Sequence, residues 1–187
     1  MRIDEVTATW VDDETAAIEH LRLGWENNAW TAEGILRGAG VQYVLRLDPT
    51  WQCRQFILFR DASEPDLWLA RDGHSWGEVN GVYRPDLAGC ATVVLREAPF
   101  TVGAVARRLE MAGDASRHVL VAVLDVERLT IEPTVLDVRR ITSTTWTIDS
   151  VPIELDLDGI VGDLPPRFRR VTSRLRPSRC PRGGRCR

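Results

Sequence analysis

Apolar and polar positions alternate with period two along most of this chain, and that period predicts a series of short strands. In residues 17–25, Leu21, Leu23 and Trp25 share one face and His20 and Arg22 the other. A turn at Asn27-Asn28 leads into residues 30–37, where Glu33 and Ile35 oppose Ala32 and Leu36. Gly38-Ala39-Gly40 is hairpin chemistry. Residues 41–48 then set Val41, Tyr43, Leu45 and Leu47 against Gln42 and Arg46. Asp48-Pro49-Thr50 turns the chain. Residues 52–59 are apolar on both faces, through Phe56 and Leu58 against Ile57 and Phe59, and are expected to be covered on both sides.

Short strands continue at 66–70, around Trp76, and at 91–96, with turns at Asp72-Gly73 and Asn80-Gly81. The period then changes. Val102, Val105, Ala106 and Leu109 recur at i, i+3, i+4 and i+7, one helical stripe. Thr101 is the expected N-cap and Gly113 the C-terminal stop. Strands resume at 119–126, 129–132, 139–149 and 151–158; in the last, Val151, Ile153, Leu155 and Leu157 face one way. Asp158-Gly159 turns the chain, and Pro165-Pro166 is read as opening a short helical segment with Phe168, Val171 and Leu175 on one side. One helix among many strands predicts a mostly β fold: an antiparallel open barrel, or a strongly curved sheet, wrapped around one main helix. Residues 1–176 form this single domain. Residues 177–187 hold no core former and are expected to be disordered.

Charge separates the same two parts. The chain has 187 residues and a net charge of −3, yet all 27 acids precede Pro165. Residues 167–187 hold nine arginines and no acid. An acidic body repels phosphate, so nucleic acid is not the expected partner. All 24 basic residues are arginine, the composition a GC-rich genome tends to give, and the basic tail is read as an unselected extension. No apolar run approaches the roughly 18 residues that span a bilayer, and the acidic N-terminus does not look like a secretory signal. The expected location is the cytoplasm. Cys53 and Cys90 are expected as core thiols, with Cys180 and Cys186 in the exposed tail. The cysteines and the three histidines offer no zinc spacing. Nucleophile-elbow, dinucleotide and phosphate-loop motifs are all absent, so no cofactor is expected.

A curved sheet closed by one helix leaves an apolar cavity, and such cavities take small or lipid-like ligands. Seven tryptophans are available. Trp25, Trp30, Trp51, Trp68 and Trp76 lie near strand ends or turns and are the candidates for a cavity lip; Trp146, in mid-strand, is read as core. His20, Arg22, Glu33, Arg46 and Arg54 lie opposite the main apolar face. They either form a solvated outer surface or orient a ligand in the pocket. Asp156 and Asp158 share a strand face and are read as an outer solvated edge.

Several segments resemble the glycolipid-binding protein family of bacteria. AIEHLRL (17–23), WTAEGILRG (30–38) and LRLDPTWQCR (45–54) come in the order of that family. LAGC (87–90), EAPFT (97–101) with RRL (107–109), and LDLDGIVGDLPPRFRRV (155–171) continue it. The resemblance implies an open barrel-like fold around a helix, similar to lipid and lipoprotein carriers, and a lipid or glycolipid partner. The chain departs from the family pattern at Val102-Gly103-Ala104-Val105-Ala106, at Val138-Arg139-Arg140 and at Ala91-Thr92, as a divergent member would. The expected function is non-catalytic binding of such a ligand. The alternative is an enzyme acting on a small apolar substrate in the same cavity.

Overall fold

The computed structural model describes residues 5–60 and 64–175, with side chains described as far as residue 171. Among these residues, thirteen strands and one α-helix make up the fold. β1 (Glu5–Asp12), β2 (Ile18–Glu26), β3 (Ala29–Arg37), β4 (Val41–Leu47), β5 (Cys53–Arg60), β6 (Leu67–Asp72) and β7 (Ser75–Glu78) form an antiparallel meander. β8 (Val93–Leu95) leads into the helix α1 (Pro99–Ala112). β9 (Ser116–Asp125), β10 (Thr130–Arg140), β11 (Thr145–Ile148) and β12 (Val151–Glu154) complete a second sheet, and β13 (Phe168–Leu175) returns to pair with β1. The first sheet thus runs β13-β1-β2-β3-β4-β5-β6-β7 and the second β12-β11-β10-β9-β8. The sheets curl around α1, as the change of period predicted.

Local chemistry explains the hairpins. Asn27 and Asn28 both take positive φ, 51° and 58°, which is the left-handed pair a two-residue turn needs. The Asp48 carboxylate accepts the backbone N–H groups of Thr50 and Gln52, at 2.9 and 3.1 Å, and so folds the β4–β5 turn. Inner-face residues follow the alternation: Leu21, Leu23, Ala32, Leu36, Val41, Tyr43, Leu45 and Leu47 are all buried. Gly34 pairs with Tyr43 across β3 and β4, and its missing side chain makes room for the phenol ring; a Cβ there would fall 2.0 Å from the ring. The α1 C-terminus is stopped by Gly113 in the left-handed conformation, as predicted.

Some expectations are overturned. Residues 168–175 are a strand, not the continuation of a helix: β1 offers a free edge, and pairing along it satisfies the backbone better than an isolated turn. Thr101 is not the N-cap. Ala98 is, and the buried Thr101 hydroxyl inside the first turn donates to the carbonyls of Ala98 and Leu95, at 2.8 and 3.2 Å, and accepts from Leu95 N–H. β8 pairs with β9 in parallel, because α1 and the turn after it carry the chain back across the sheet. β5 is covered on one side only; Ile57 and Phe59 stay half-buried on the outer face, where Ile57 pairs with Trp68. Residues 139–149 are split by a turn between β10 and β11, and Leu157 does not follow Leu155 into the core but is 97% exposed. β1 itself escapes the reading above, although Val6, Ala8 and Trp10 alternate inward.

The interior is packed with large side chains, among them Trp10, Trp76, Trp146, Phe56 and Phe100. α1 is buried well beyond the predicted stripe, through Phe100, Gly103 and Ala104 as well as Val105, Ala106 and Leu109, as suits a helix enclosed by sheets. Cys53 and Cys90 are buried free thiols, and burial pushes the Cys53 thiol up to about 12. The tail at 177–187 lies outside the described residues.

Candidate functional site

Three of the candidate tryptophans converge at one end of the first sheet. Trp25 and Trp30 pair across the β2–β3 hairpin and meet edge to face, ring centroids 5.0 Å apart. Trp51 comes from the β4–β5 turn. Its φ of 62° is rare for an aromatic residue, and it carries the indole inward, 5.9 Å from Trp30 and 6.1 Å from Phe100 at the start of α1. Around this trio lies an open cleft of about 370 Å³. Val6, Leu23 and Pro49 add apolar wall; Arg107 and Met111 come from the last turns of α1; Leu157 and Asp158 come from the loop after β12. Met111 is 46% and Leu157 97% exposed, so apolar side chains sit bare at the rim.

The loop after β12 is built by Asp156. Its Oδ1 accepts the N–H groups of Asp158 and Ile160, both at 2.9 Å, and its other oxygen pairs with Arg170 at 2.8 Å. Gly159 closes the turn at φ 78°. The segment 155–171 is therefore a clamp. Arg170 also donates to the Val161 carbonyl at 3.2 Å, and Arg167 holds the buried Asp12 carboxylate at the end of β1 with two contacts of 2.7 Å. Burial raises the pKa of Asp12, but the Arg167 guanidinium and the amides of Glu14 and Thr15 outweigh it and bring the carboxyl down to about 2. Asp158 projects at the cleft, half-buried; burial and the neighbouring Asp156 raise its pKa above the usual carboxylate value.

Arg107 forms the cationic part of the wall. Its guanidinium lies over the Trp51 ring, 5.7 Å from the centroid, and pairs with Glu110 one turn further along α1. Glu110 in turn meets Arg140 at 3.5 Å.

The polar candidates lie elsewhere. His20 hydrogen-bonds Thr9 on the outer face of β2, at 3.0 Å. Arg22 bridges Glu5 and Glu33, at 3.1 and 2.9 Å, and Arg54 pairs with Asp48 at 2.9 Å. Arg46 is half-buried on the outer face of β4. Arg22 and Glu33 do border a shallow outer depression of about 170 Å³ that Trp25 also touches. Trp68 and Trp76 do not line the cleft. Trp68 stands on the outer face of β6, and Trp76 faces inward on β7, its indole N–H donating to the Cys90 carbonyl at 2.9 Å. Arg107 was not a candidate from the sequence. Asp156 and Asp158, read there as an outer solvated strand edge, are instead half-buried in a loop, because β12 ends at Glu154, Asp156 is held by Arg170 and Asp158 turns to the cleft. The signal available for Arg107 and Asp158 was their place in the RRL and LDLDGIV segments of the family pattern.

The opposite end of the meander holds a smaller cavity of about 240 Å³, bordered by Asp12, Glu19, Glu97 and Arg167. Glu19 is buried on the inner face of β2. Its carboxyl accepts the Tyr43 hydroxyl at 2.5 Å and the Phe100 N–H at 3.2 Å, and burial pushes its pKa up to about 8. Among the described residues, no group of His, Cys, Asp and Glu is placed to hold a metal ion.

The class follows from the architecture: two curled, largely antiparallel sheets around one helix, open at one end. The same fold is found in the crystal structure of a DUF1089 family protein from Pseudomonas aeruginosa, with a TM-score of 0.61, 19% sequence identity, and coverage of 91% of this chain and 89% of that one. A family model described as "Putative glycolipid-binding" matches residues 7–170, and the chain belongs to that family. A search of curated proteins finds no match. Among the described residues, no helix is long and apolar enough to cross a membrane.

Proposed function

We propose that this protein is a non-catalytic binding protein for an amphiphile of the glycolipid class, and that the tryptophan cleft is the binding site. The observation that carries this reading is the convergence of Trp25, Trp30 and Trp51 beside the exposed Leu157 and Met111. Exposing a leucine almost fully at the rim of an aromatic cleft costs apolar hydration, which a ligand chain would relieve. A volume of about 370 Å³ is at the lower end of small-molecule sites. The cleft therefore takes one ring or a short stretch of chain, and the rest of the ligand leaves over the rim. The family description points the same way.

The test is a titration of the protein with a short-chain glycolipid, read by tryptophan emission. Binding should quench the emission. Trp25→Ala and Trp30→Ala should each weaken binding by about 0.5–1.5 kcal/mol beyond the area lost. Trp68→Ala, which removes an exposed indole outside the cleft, should leave the affinity unchanged. A loss with Trp68→Ala equal to that with Trp30→Ala would move the site off the cleft.

A further inference from the structure

Resting on the reading of the cleft as an amphiphile site, we propose that Arg107 and Asp158 form a donor–acceptor pair that reads hydroxyl groups, so that the cleft selects a neutral sugar headgroup over a charged one. Three observations converge on this. The first is charge balance. Arg107 is paired with Glu110, Glu110 also meets Arg140, and Asp156 beside Asp158 is paired with Arg170. The charged residues of the cleft lining itself are Arg107 and Asp158, one of each sign, so neither an anionic nor a cationic headgroup meets a one-signed wall.

The second is unused hydrogen-bonding capacity. Glu110 occupies one terminal nitrogen of Arg107; the other makes no hydrogen bond among the described residues, and the Nε is buried without a partner. The Asp158 side chain is half-buried and makes no hydrogen bond among the described residues. A guanidinium donates only and a carboxylate accepts only. A pair of adjacent hydroxyls, which can do both, satisfies the two together. A headgroup without hydroxyls leaves both unmet.

The third is how the two groups are brought together. A Cβ at Gly159 would fall 2.4 Å from the Arg107 Nε, so only glycine lets the guanidinium lie against the turn that carries Asp158. The aromatic wall is beside them, since Arg107 lies over Trp51. A sugar ring has an apolar face for an indole and an equatorial rim of hydroxyls for such a pair, and one ring is what the cleft volume admits.

The experiment compares four octyl amphiphiles below their micelle concentrations, on the full chain, by calorimetry and tryptophan emission: octyl glucoside, octyl sulfate, octyltrimethylammonium and an octyl oxyethylene ether. Octyl glucoside should bind about 10-fold tighter than each of the others. Arg107→Met and Asp158→Asn should each bring that preference to within about 3-fold while leaving the ether's affinity in place. If Arg107→Met does not fold, Gly159→Ala displaces the same guanidinium without deleting it and should give the same loss. Equal binding of all four by the wild type, or a preference for octyl sulfate that Arg107→Met abolishes, overturns the pair but keeps the cleft as an amphiphile site. Absence of binding by all four overturns the amphiphile site itself.

Discussion

At the scale of single residues, Glu19 is the least expected feature. It shares the inner face of β2 with Leu21 and Leu23, so the alternation that marks the core also places a carboxyl in it. That position was legible in the sequence; its partners were not, because Tyr43 reaches it from β4, across Gly34 of the intervening β3, and Phe100 from a distant helix. Burial pushes the carboxyl up to about 8, against an ordinary 4.5. The folded state therefore keeps a proton that the unfolded state releases between those two values. Stability falls as pH rises through that window, with a slope near 1.4 kcal/mol per pH unit for one proton. Glu19→Gln keeps a neutral hydrogen-bonding group and removes the titration. Urea unfolding of both proteins at pH 5 and pH 8 checks this: wild type should lose more stability than the variant between the two. Parallel pH profiles would show that Glu19 is ionised in the fold. Asp12 acts in the opposite direction. Its pKa of about 2 stabilises the folded state above the ordinary 3.8, and that contribution is lost as pH falls through 2.

At the scale of elements, period and turn chemistry revealed most of the meander. The Asn27-Asn28 turn, the Asp48 turn and the Gly113 stop stand where local chemistry put them. What failed was long-range. Phe168, Val171 and Leu175 fit a helical spacing, and nothing local says that β1, residues away by more than 150 positions, offers the edge they pair with. The two tryptophans that the cleft leaves out failed for a related reason. Nearness to a turn says nothing about which end of the sheet the turn closes, and Trp76 belongs to the β6–β7 end, packed against Cys90. The docking of α1 depends on an equally non-local fit. A Cβ at Gly103 would stand 2.7 Å from the Cβ of Val161, in the clamp segment. Gly103→Ala gains helix propensity in isolation, by about 1 kcal/mol, yet should destabilise the protein by about 1–3 kcal/mol through overpacking. A urea midpoint at or above that of wild type would mean that the helix has room to shift.

At the scale of the whole molecule, the two ends of the curled sheet are built differently, and that division gives the fold its use. One end is closed by charge: Arg167 on Asp12 joins the ends of β13 and β1, next to the buried Glu19. The other end is left open around Trp25, Trp30 and Trp51. The clamp segment 155–171 serves both ends, since it delivers Arg167 to one and Asp158 to the other. The closing strand sets the limit on what can be removed from the C-terminus. β13 pairs with β1 as far as Leu175, opposite Val6. Deleting residues 177–187, which carry no apolar pattern, should change stability by less than about 0.5 kcal/mol. Deleting from residue 168 onward removes Phe168 from the core, breaks the Asp156–Arg170 contact and leaves β1 with an unpaired edge. That shorter chain should melt many degrees lower and aggregate on heating, whereas the chain ending at 176 should melt with wild type. Thermal melts of the two truncations decide the matter. If both fall together, the basic segment beyond Leu175 is bound to the body and the acidic surface of the domain has a partner within its own chain.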